Sequence, residues 1–295
     1  MEVGLALPPV PGVRGQTVLD WARAGEQAGF STLATLDRLV WDCYEGLVTL
    51  AAAAAVTTRC RLTTAIMISP LRNNTALLAK QAATVDQLSG GRLVLGLAAG
   101  MRRDDFAASG VNPATRGKAL DAQLDELDRI WAGEPRGLAG PIGPPPVREG
   151  GPEIILGGQS PAAVDRAVRR ASGWIGGSGN PEMFREGAEM VRSAWADEGR
   201  SGQPRLLALA YFALGDNARQ HAEGYLREYY SFAPPLAEMV LGTASVSADQ
   251  IAEQVAAYRD AGCDELIFTP CSADLRQVEL LHDAVSRLHQ PLAVG

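Results

Sequence analysis

RLTTAIMISPLRNNTALLAKQAATVDQLSGGRLVLGLAAGMRRDD, residues 61–105, is the stretch whose reading decides the fold. It opens on an apolar, β-prone run, 61–68. A proline-containing turn follows, then an amphipathic segment, 75–88, with Leu78, Ala82 and Val85 on one face at i, i+4 and i+7. Ser89-Gly90-Gly91 breaks the helix, and a second apolar run, 92–98, ends in Ala-Gly. A strand, a helix and a strand with short joints make one βαβ unit. Parallel strands need such a crossover, and it is right-handed almost without exception.

The unit repeats in both directions. Upstream, 3–7 reads as a strand stopped by Pro8-Pro9. Thr17 and Asp20 resemble a capping box for a helix that runs to Ala28 and stops at Gly29. Residues 32–36 form a strand ending at Asp37, the loop 38–45 carries Trp41 and Tyr44, and the Ala-rich 47–57 is a helix. Downstream, 116–131 is a helix with Leu120, Leu124, Leu127 and Trp131 as its stripe. Strands are predicted at 154–156, 174–175, 206–214 and 265–269. Helices are predicted from Pro161 to Ala171 and over 181–198, 217–229, 247–261 and 274–288, with 232–244 irregular. Twelve of the twenty residues 133–152 are Gly or Pro, which excludes a helix or a central strand there. That segment reads as a long, mobile connection inside a single domain, 1–295. Eight strands, each followed by helix, predict an α/β fold of the (β/α)8 TIM-barrel type. An open doubly wound sheet is the alternative, against which the lack of GxGxxG counts.

A net charge of −7 disfavours a nucleic-acid binder, which would carry a basic patch. The pairs Arg102-Arg103 and Arg169-Arg170 read as helix-surface charge. Four scattered cysteines, Cys43, Cys60, Cys263 and Cys271, show neither CxxC nor zinc spacing and suit the free thiols of a cytoplasmic chain. No signal peptide is expected, and the longest apolar run, 47–56, is too short to span a bilayer.

In a barrel of this kind, sites form where strands end. That rule selects Pro8, Asp37-Arg38, 66–74, 99–105, 157–160, 176–180 and 269–271. Gly157-Gly158-Gln159-Ser160 is the strongest of these. Two glycines let backbone approach a ligand closely, and Ser160 precedes a helix whose free N–H groups suit a phosphate; an ordinary turn with a serine cap fits the same residues. Asp37 is an acid at a strand end, or a turn cap, or a partner of Arg38. Asp104 and Asp105 read as the cap of a helical turn. Arg72 could meet an anion, and Asn73-Asn74 is also a helix-start signal. Trp41 is pocket wall or core. His221, His282 and His289 fall in late helices, so no metal cluster, serine triad or histidine base is expected. A phosphate cradle with few acid–base groups implies a cofactor that carries the reaction.

Taken together, AGEQAGFSTLATLD (24–37), 57–100, RGKALDAQLDELDRIWAGE (116–134), PEIILGGQSPAAVDRAVRRASGWI (152–175) and AAYRDAGCDELIFTP (256–270) resemble the bacterial luciferase-like oxidoreductases, which use FMN or coenzyme F-420. The resemblance implies an eight-stranded barrel with the cofactor ring at its mouth. Gly157, Gly158, Gln159 and Ser160 would hold the phosphate. Ala65, Ile66, Met67 and Ile68 would lie behind the ring, with a non-proline cis peptide at Ala65–Ile66. Gly100 and Asp104 would sit near the ring, and Asp37 would contact ring or substrate as the candidate catalytic residue. Two positions depart from the family. Deazaflavin members often carry Asp-His where this chain has Asp37-Arg38, and the sugar-phosphate dehydrogenases carry Glu where it has Met101. The implied activity is hydride transfer to, or with FMN dioxygen activation for, a small organic substrate, with no nucleic-acid or membrane partner and a homodimeric assembly. The alternative is a non-catalytic flavin- or deazaflavin-binding protein. The segments 38–45 and 232–244 would shape the substrate pocket.

Overall fold

The structure is a computed structural model in which residues 1–177 and 179–287 are described. Ser178, Leu288 and His289, which figure in the sequence expectations, lie outside them. Barrel strands and helices alternate. The first half comprises β1 (Glu2–Ala6), α1 (Gly15–Gln27), β2 (Thr32–Thr35), α2 (Gly46–Ala54), β3 (Arg61–Thr64), β4 (Met67–Ile68), α3 (Thr75–Ser89), β5 (Leu93–Ala98), α4 (Arg103–Ser109) and α5 (Arg116–Trp131). The second half comprises β6 (Glu153–Gly157), α6 (Pro161–Arg170), β7 (Gly173–Gly176), α7 (Pro181–Asp197), β8 (Arg205–Phe212), α8 (Ala218–Tyr229), α9 (Pro234–Thr243), α10 (Ala248–Asp260), β9 (Glu265–Pro270) and α11 (Arg276–Ser286). Every pairing between these strands is parallel, and β3 pairs with β5 through Leu62–Leu93 and Thr63–Val94. With β3 and β4 as two pieces of one stave, the sheet closes into an eight-stave TIM barrel.

Successive residues of a strand face opposite sides, and the two cores follow from that. Ala6, Ala34, Ala65, Val94, Ile155, Ile175, Leu207 and Ile267 pack inside the barrel, one per stave. Leu5, Leu33, Leu62, Leu95, Leu156, Trp174, Leu206 and Leu266 pack outward under the helices. The end where strands begin is filled by charge. Glu265, fully buried at the start of β9, accepts bonds from Ser31 and Arg205 and lies 3.6 Å from Arg61; Arg205 also meets Glu153 at 2.9 Å. The opposite rim is left for a site.

Four local expectations change. The predicted continuous strand 61–68 is interrupted at Ala65–Ile66, which is the non-proline cis peptide that the family resemblance implies, so that β3 continues as β4. The carbonyl oxygen of Thr64 swings over Gly96, where a Cβ would lie only 2.0 Å from it. Helix α1 starts at Gly15 with Arg14 before it and no side-chain cap, so Thr17 lies inside the first turn and the Thr17/Asp20 capping box does not form. Arg102, before α4, makes no side-chain cap either, and Asp104 and Asp105 sit within the first turn. Residues 232–244, read as irregular, contain α9: Pro234 and Pro235 occupy its first turn, where a missing N–H costs nothing. The Gly/Pro-rich connection is fastened to α3 and its end: Lys80 donates to the Gly143 carbonyl (2.6 Å), Gln87 to that of Pro145 (2.8 Å) and Arg148 to that of Gly91 (3.2 Å), while the Val147 N–H donates to Asp86 (2.8 Å).

Gly96→Ala is expected to lower the unfolding free energy by about 2–3 kcal/mol, because backbone rather than a flexible side chain must yield. Gly224→Ala, inside α8 with nothing within 4 Å of its Cβ, is expected to raise it by about 0.5–1 kcal/mol. Urea denaturation of the two variants checks both signs.

Candidate active site

A cavity of about 740 Å³ opens where the strands end, within the usual size for a small-molecule site. Three structural features define it: a glycine cradle, a bent stave and a rim of paired arginines backed by tyrosines.

The cradle is the end of β6. A Cβ on Gly157 would lie 2.6 Å from the Ile66 Cδ1, and one on Gly158, at φ +122°, 2.7 Å from the Ala163 Cβ. Glycine is therefore required at Gly158 by the chain itself, while at Gly157 a side chain would push the end of Ile66 aside; together the two leave bare backbone at the cavity. The Gly158 carbonyl accepts from the Trp174 indole at 2.8 Å. Ser160 caps α6, its Oγ accepting from the Ala163 N–H at 3.3 Å, with Pro161 in the first turn. Gly177, after β7, lies open beside it, with nothing within 4 Å of a Cβ. Arg166 of α6, its charge matched by Asp121, and Arg116 of α5 line the same end, so the cradle offers N–H donors together with the charge of Arg116.

The bent stave places Ala65, Ile66 and Ile68 on the cavity. Asp37 holds it in place. Its carboxylate accepts from the Ile68 N–H (2.8 Å) and from both Arg72 terminal nitrogens (2.7 and 2.8 Å). Burial disfavours the Arg72 charge, but Asp37 and Glu45, at 2.8 Å, outweigh it and hold the guanidinium protonated. Arg72 thus meets a carboxylate of the chain itself, and Asn74 caps α3 by accepting from the Leu77 N–H.

Arg38 enters the rim with only 3% of its side chain exposed. Its Nε donates to Asp105 (2.7 Å) and one terminal nitrogen donates to Asp104 (3.1 Å) and to the Val40 carbonyl (3.0 Å). Burial opposes the charge and the Asp105 bond restores it. Asp105 also accepts the N–H groups of Leu39 and Val40 at 3.1 and 2.7 Å. Asp104 passes the network to Arg102 at 2.7 Å, and that bond, stronger than the opposing burial, holds the Asp104 carboxyl down at about 2. Arg102 then donates to the Tyr229 carbonyl (2.7 Å) and lies 4.0 Å from the centre of the Phe232 ring. Tyr211, Tyr229 and Tyr230 complete this side of the cavity.

Of the eleven site residues selected from sequence, Asp37, Ala65, Ile66, Ile68, Gly100, Gly157, Gly158, Gln159 and Ser160 border this cavity. Two do not. Met67 pairs with Leu97 and turns outward into the core under the helices, as alternation along a strand demands. Asp104 lies in the rim network. Trp41 backs the aromatic wall, edge-on to Tyr229 with ring centres 5.2 Å apart. Arg38 as an ion-pair partner of Asp105, Arg116, Arg166 and the tyrosines are not selected by sequence; Arg102 falls in the selected 99–105 but reads there as helix-surface charge, whereas it is bonded into the rim. The one signal for the tyrosines is Tyr211 in phase with inward Leu207 and Leu209. Among the described residues no group of three or more His, Cys, Asp or Glu side chains could hold a metal. All four cysteines are free, and burial, the largest cause, lifts the Cys43 and Cys60 thiols to about 11.

The family model for luciferase-like monooxygenases matches residues 1–245. The chain belongs to that family. An uncharacterized protein of Mycobacterium tuberculosis (strain ATCC 25618 / H37Rv) is 30% identical over 184 residues, 60% of this chain, and the chain spans 64% of that relative's length. The FMNH(2)-dependent dimethylsulfone monooxygenase of Pseudomonas fluorescens (strain Pf0-1) is 27% identical over 305 residues, covering 88% of this chain and 82% of the relative. An F420-dependent secondary alcohol dehydrogenase, solved with an F420-acetone adduct, superposes with a TM-score of 0.78 at 14% identity, over 98% of this chain and 100% of that one; this last likeness shows the fold. The proteins this chain is similar to thus include an FMNH2-dependent one by sequence and an F420-dependent one by fold. Among the described residues of this member no helix is long and apolar enough to cross a membrane.

Asp105→Asn is expected to cost about 3 kcal/mol, because the buried guanidinium loses its shorter carboxylate and keeps only Asp104, which it shares with Arg102. Adding Arg38→Met, which removes that charge while the introduced side-chain amide still accepts from the Leu39 and Val40 N–H groups, should restore at least half of it. Chemical denaturation of the single and double variants decides.

Proposed function

We propose that this protein is an oxidoreductase that binds FMN or coenzyme F-420 in the barrel mouth and acts on a small organic substrate. The observation that carries the reading is the cavity's polarity from end to end. A glycine-lined backbone, a capped helix N-terminus and two arginines gather where a phosphate would bind, and the side of Ile66 and the bare Gly157 offer a flat wall beside them. Once bound and reduced, such a ring supplies hydride to an organic acceptor or, for FMN, activates dioxygen.

The chain's own residues bind, orient and exclude water. Gly158 and Ser160 would receive the phosphate, and Ile66 would support the ring face. Asp37 is assigned a positioning role: its carboxylate is committed to Arg72 and the Ile68 N–H, so it fixes the bent stave rather than moving a proton. Arg38, standing where deazaflavin relatives often carry histidine, is locked by Asp105 and holds its charge. Catalysis then rests on placing hydride donor and acceptor together in a dry site.

Titration with oxidised FMN and with F-420, followed by absorbance and fluorescence, should give a dissociation constant in the micromolar range, a binding energy of about −8 kcal/mol, for at least one of them. Failure of both to bind would overturn the assignment. Gly158 is a poor probe because its backbone admits no side chain. Gly177→Val fills the cradle without straining the fold and should weaken the bound cofactor by about tenfold or more, with an unchanged denaturation midpoint.

A further inference from the structure

We propose that the hydroxyl pair of Tyr211 and Tyr230 orients the substrate, and that the substrate it selects is an uncharged, flat molecule presenting a carbonyl oxygen. This inference rests on the oxidoreductase reading above and concerns the part of the cavity at the end of β8, two staves from the glycine cradle.

Tyr211 stands near the end of β8, in phase with the inward Leu207 and Leu209, and is 3% exposed. Its hydroxyl lies 3.0 Å from that of Tyr230, with the rings edge to face at 6.1 Å and 89°. Both rings border the cavity. When Tyr230 donates to Tyr211, the hydrogen of Tyr211 is left for a ligand, and a neighbouring phenol polarises it. Burial above all, with Tyr230 and Tyr229 alongside, pushes Tyr211 well above the usual phenol range, so the group keeps its hydrogen and acts as a donor. The other cavity hydroxyls are placed differently: Ser160 caps α6, and Tyr229 lies against Arg38, whose central carbon is 5.4 Å from its ring centre.

The charge around this end selects against ions. Arg38 is neutralised by Asp105 and Asp104, and Arg102 by Asp104. Leu209, Leu236 and Met239 add apolar lining to the same cavity. A substrate carboxylate or ammonium buried here would lose its water without gaining a counter-ion, whereas a carbonyl oxygen needs one donor, and the pair supplies it. Tyr230 and Phe232, tilted by 30° with centres 6.2 Å apart, favour a planar body.

The test uses the full chain loaded with oxidised cofactor, whichever of FMN and F-420 binds, and benzylideneacetone carrying a ¹³C label at its carbonyl. Infrared difference spectra should place the bound carbonyl stretch below that of the ketone in an apolar solvent. Tyr211→Phe should remove that shift and weaken ketone binding by about tenfold, with Tyr230→Phe giving a smaller loss of the shift. Cofactor affinity should change less than about twofold in either variant. Cinnamate, a flat anion of similar size, should bind the parent protein at least about tenfold more weakly than the ketone. A bound ketone without the shift, a shift that survives in both variants, no ketone binding, or cinnamate binding as tightly would each overturn the inference while cofactor binding stands. Loss of cofactor binding in the parent chain would instead bring down the oxidoreductase reading and this inference with it.

Discussion

The mouth of this barrel depends on one desolvated cation. Arg38 is buried at the rim, and a guanidinium there is tenable only with a carboxylate held against it. Asp105 meets that need and, with its second oxygen, fixes the backbone of Leu39 and Val40. The loop after β2 therefore has one conformation compatible with a paired charge. Through Asp104 the same constraint reaches Arg102, and through Arg102 it reaches the Tyr229 carbonyl and the Phe232 ring. Three segments far apart in sequence thus form one electrostatic unit. Arginine is suited to it because its planar fork serves several acceptors at fixed angles, which a lysine ammonium does not.

The treatment of charge differs between the two ends of the cavity. Around the tyrosines each arginine faces a carboxylate, so the field there is largely cancelled. Beside the cradle, Arg116 lies exposed and no acid among the described residues is paired with it, and the N–H groups opening α6 add to its field. On the proposed reading, the anionic part of a cofactor and a neutral substrate are sorted by this contrast before any specific contact is made.

The barrel is legible in the sequence because hydrophobic period and turn residues agree from stave to stave. The cradle is legible for a related reason: Gly157, Gly158 and Ser160 announce a chain reversal and a helix start with local chemistry alone. What escapes is non-local or positional. Propensity within 61–68 reads as one continuous strand, and the bend at Ala65–Ile66 is legible only through the family resemblance; its physical reason lies partly in Gly96, about thirty residues on. Arg38 and Asp105 are separated by 67 positions, so neither residue advertises the other. Met67 is close to the cavity in sequence and faces away from it by parity. Pro234-Pro235 reads as a break and is in fact a beginning, a distinction that depends on which side of the prolines the helix lies.

The long connection between α5 and β6 joins a helix to the start of a strand, so it runs beneath the barrel, on the face opposite the mouth. Its bonds to Lys80, Asp86, Gln87 and Gly91 keep it there. This long Gly/Pro-rich segment is thereby kept clear of the mouth. An affinity handle or fluorescent reporter spliced near its exposed Leu138 would ride on the back of the molecule and leave traffic through the mouth unobstructed.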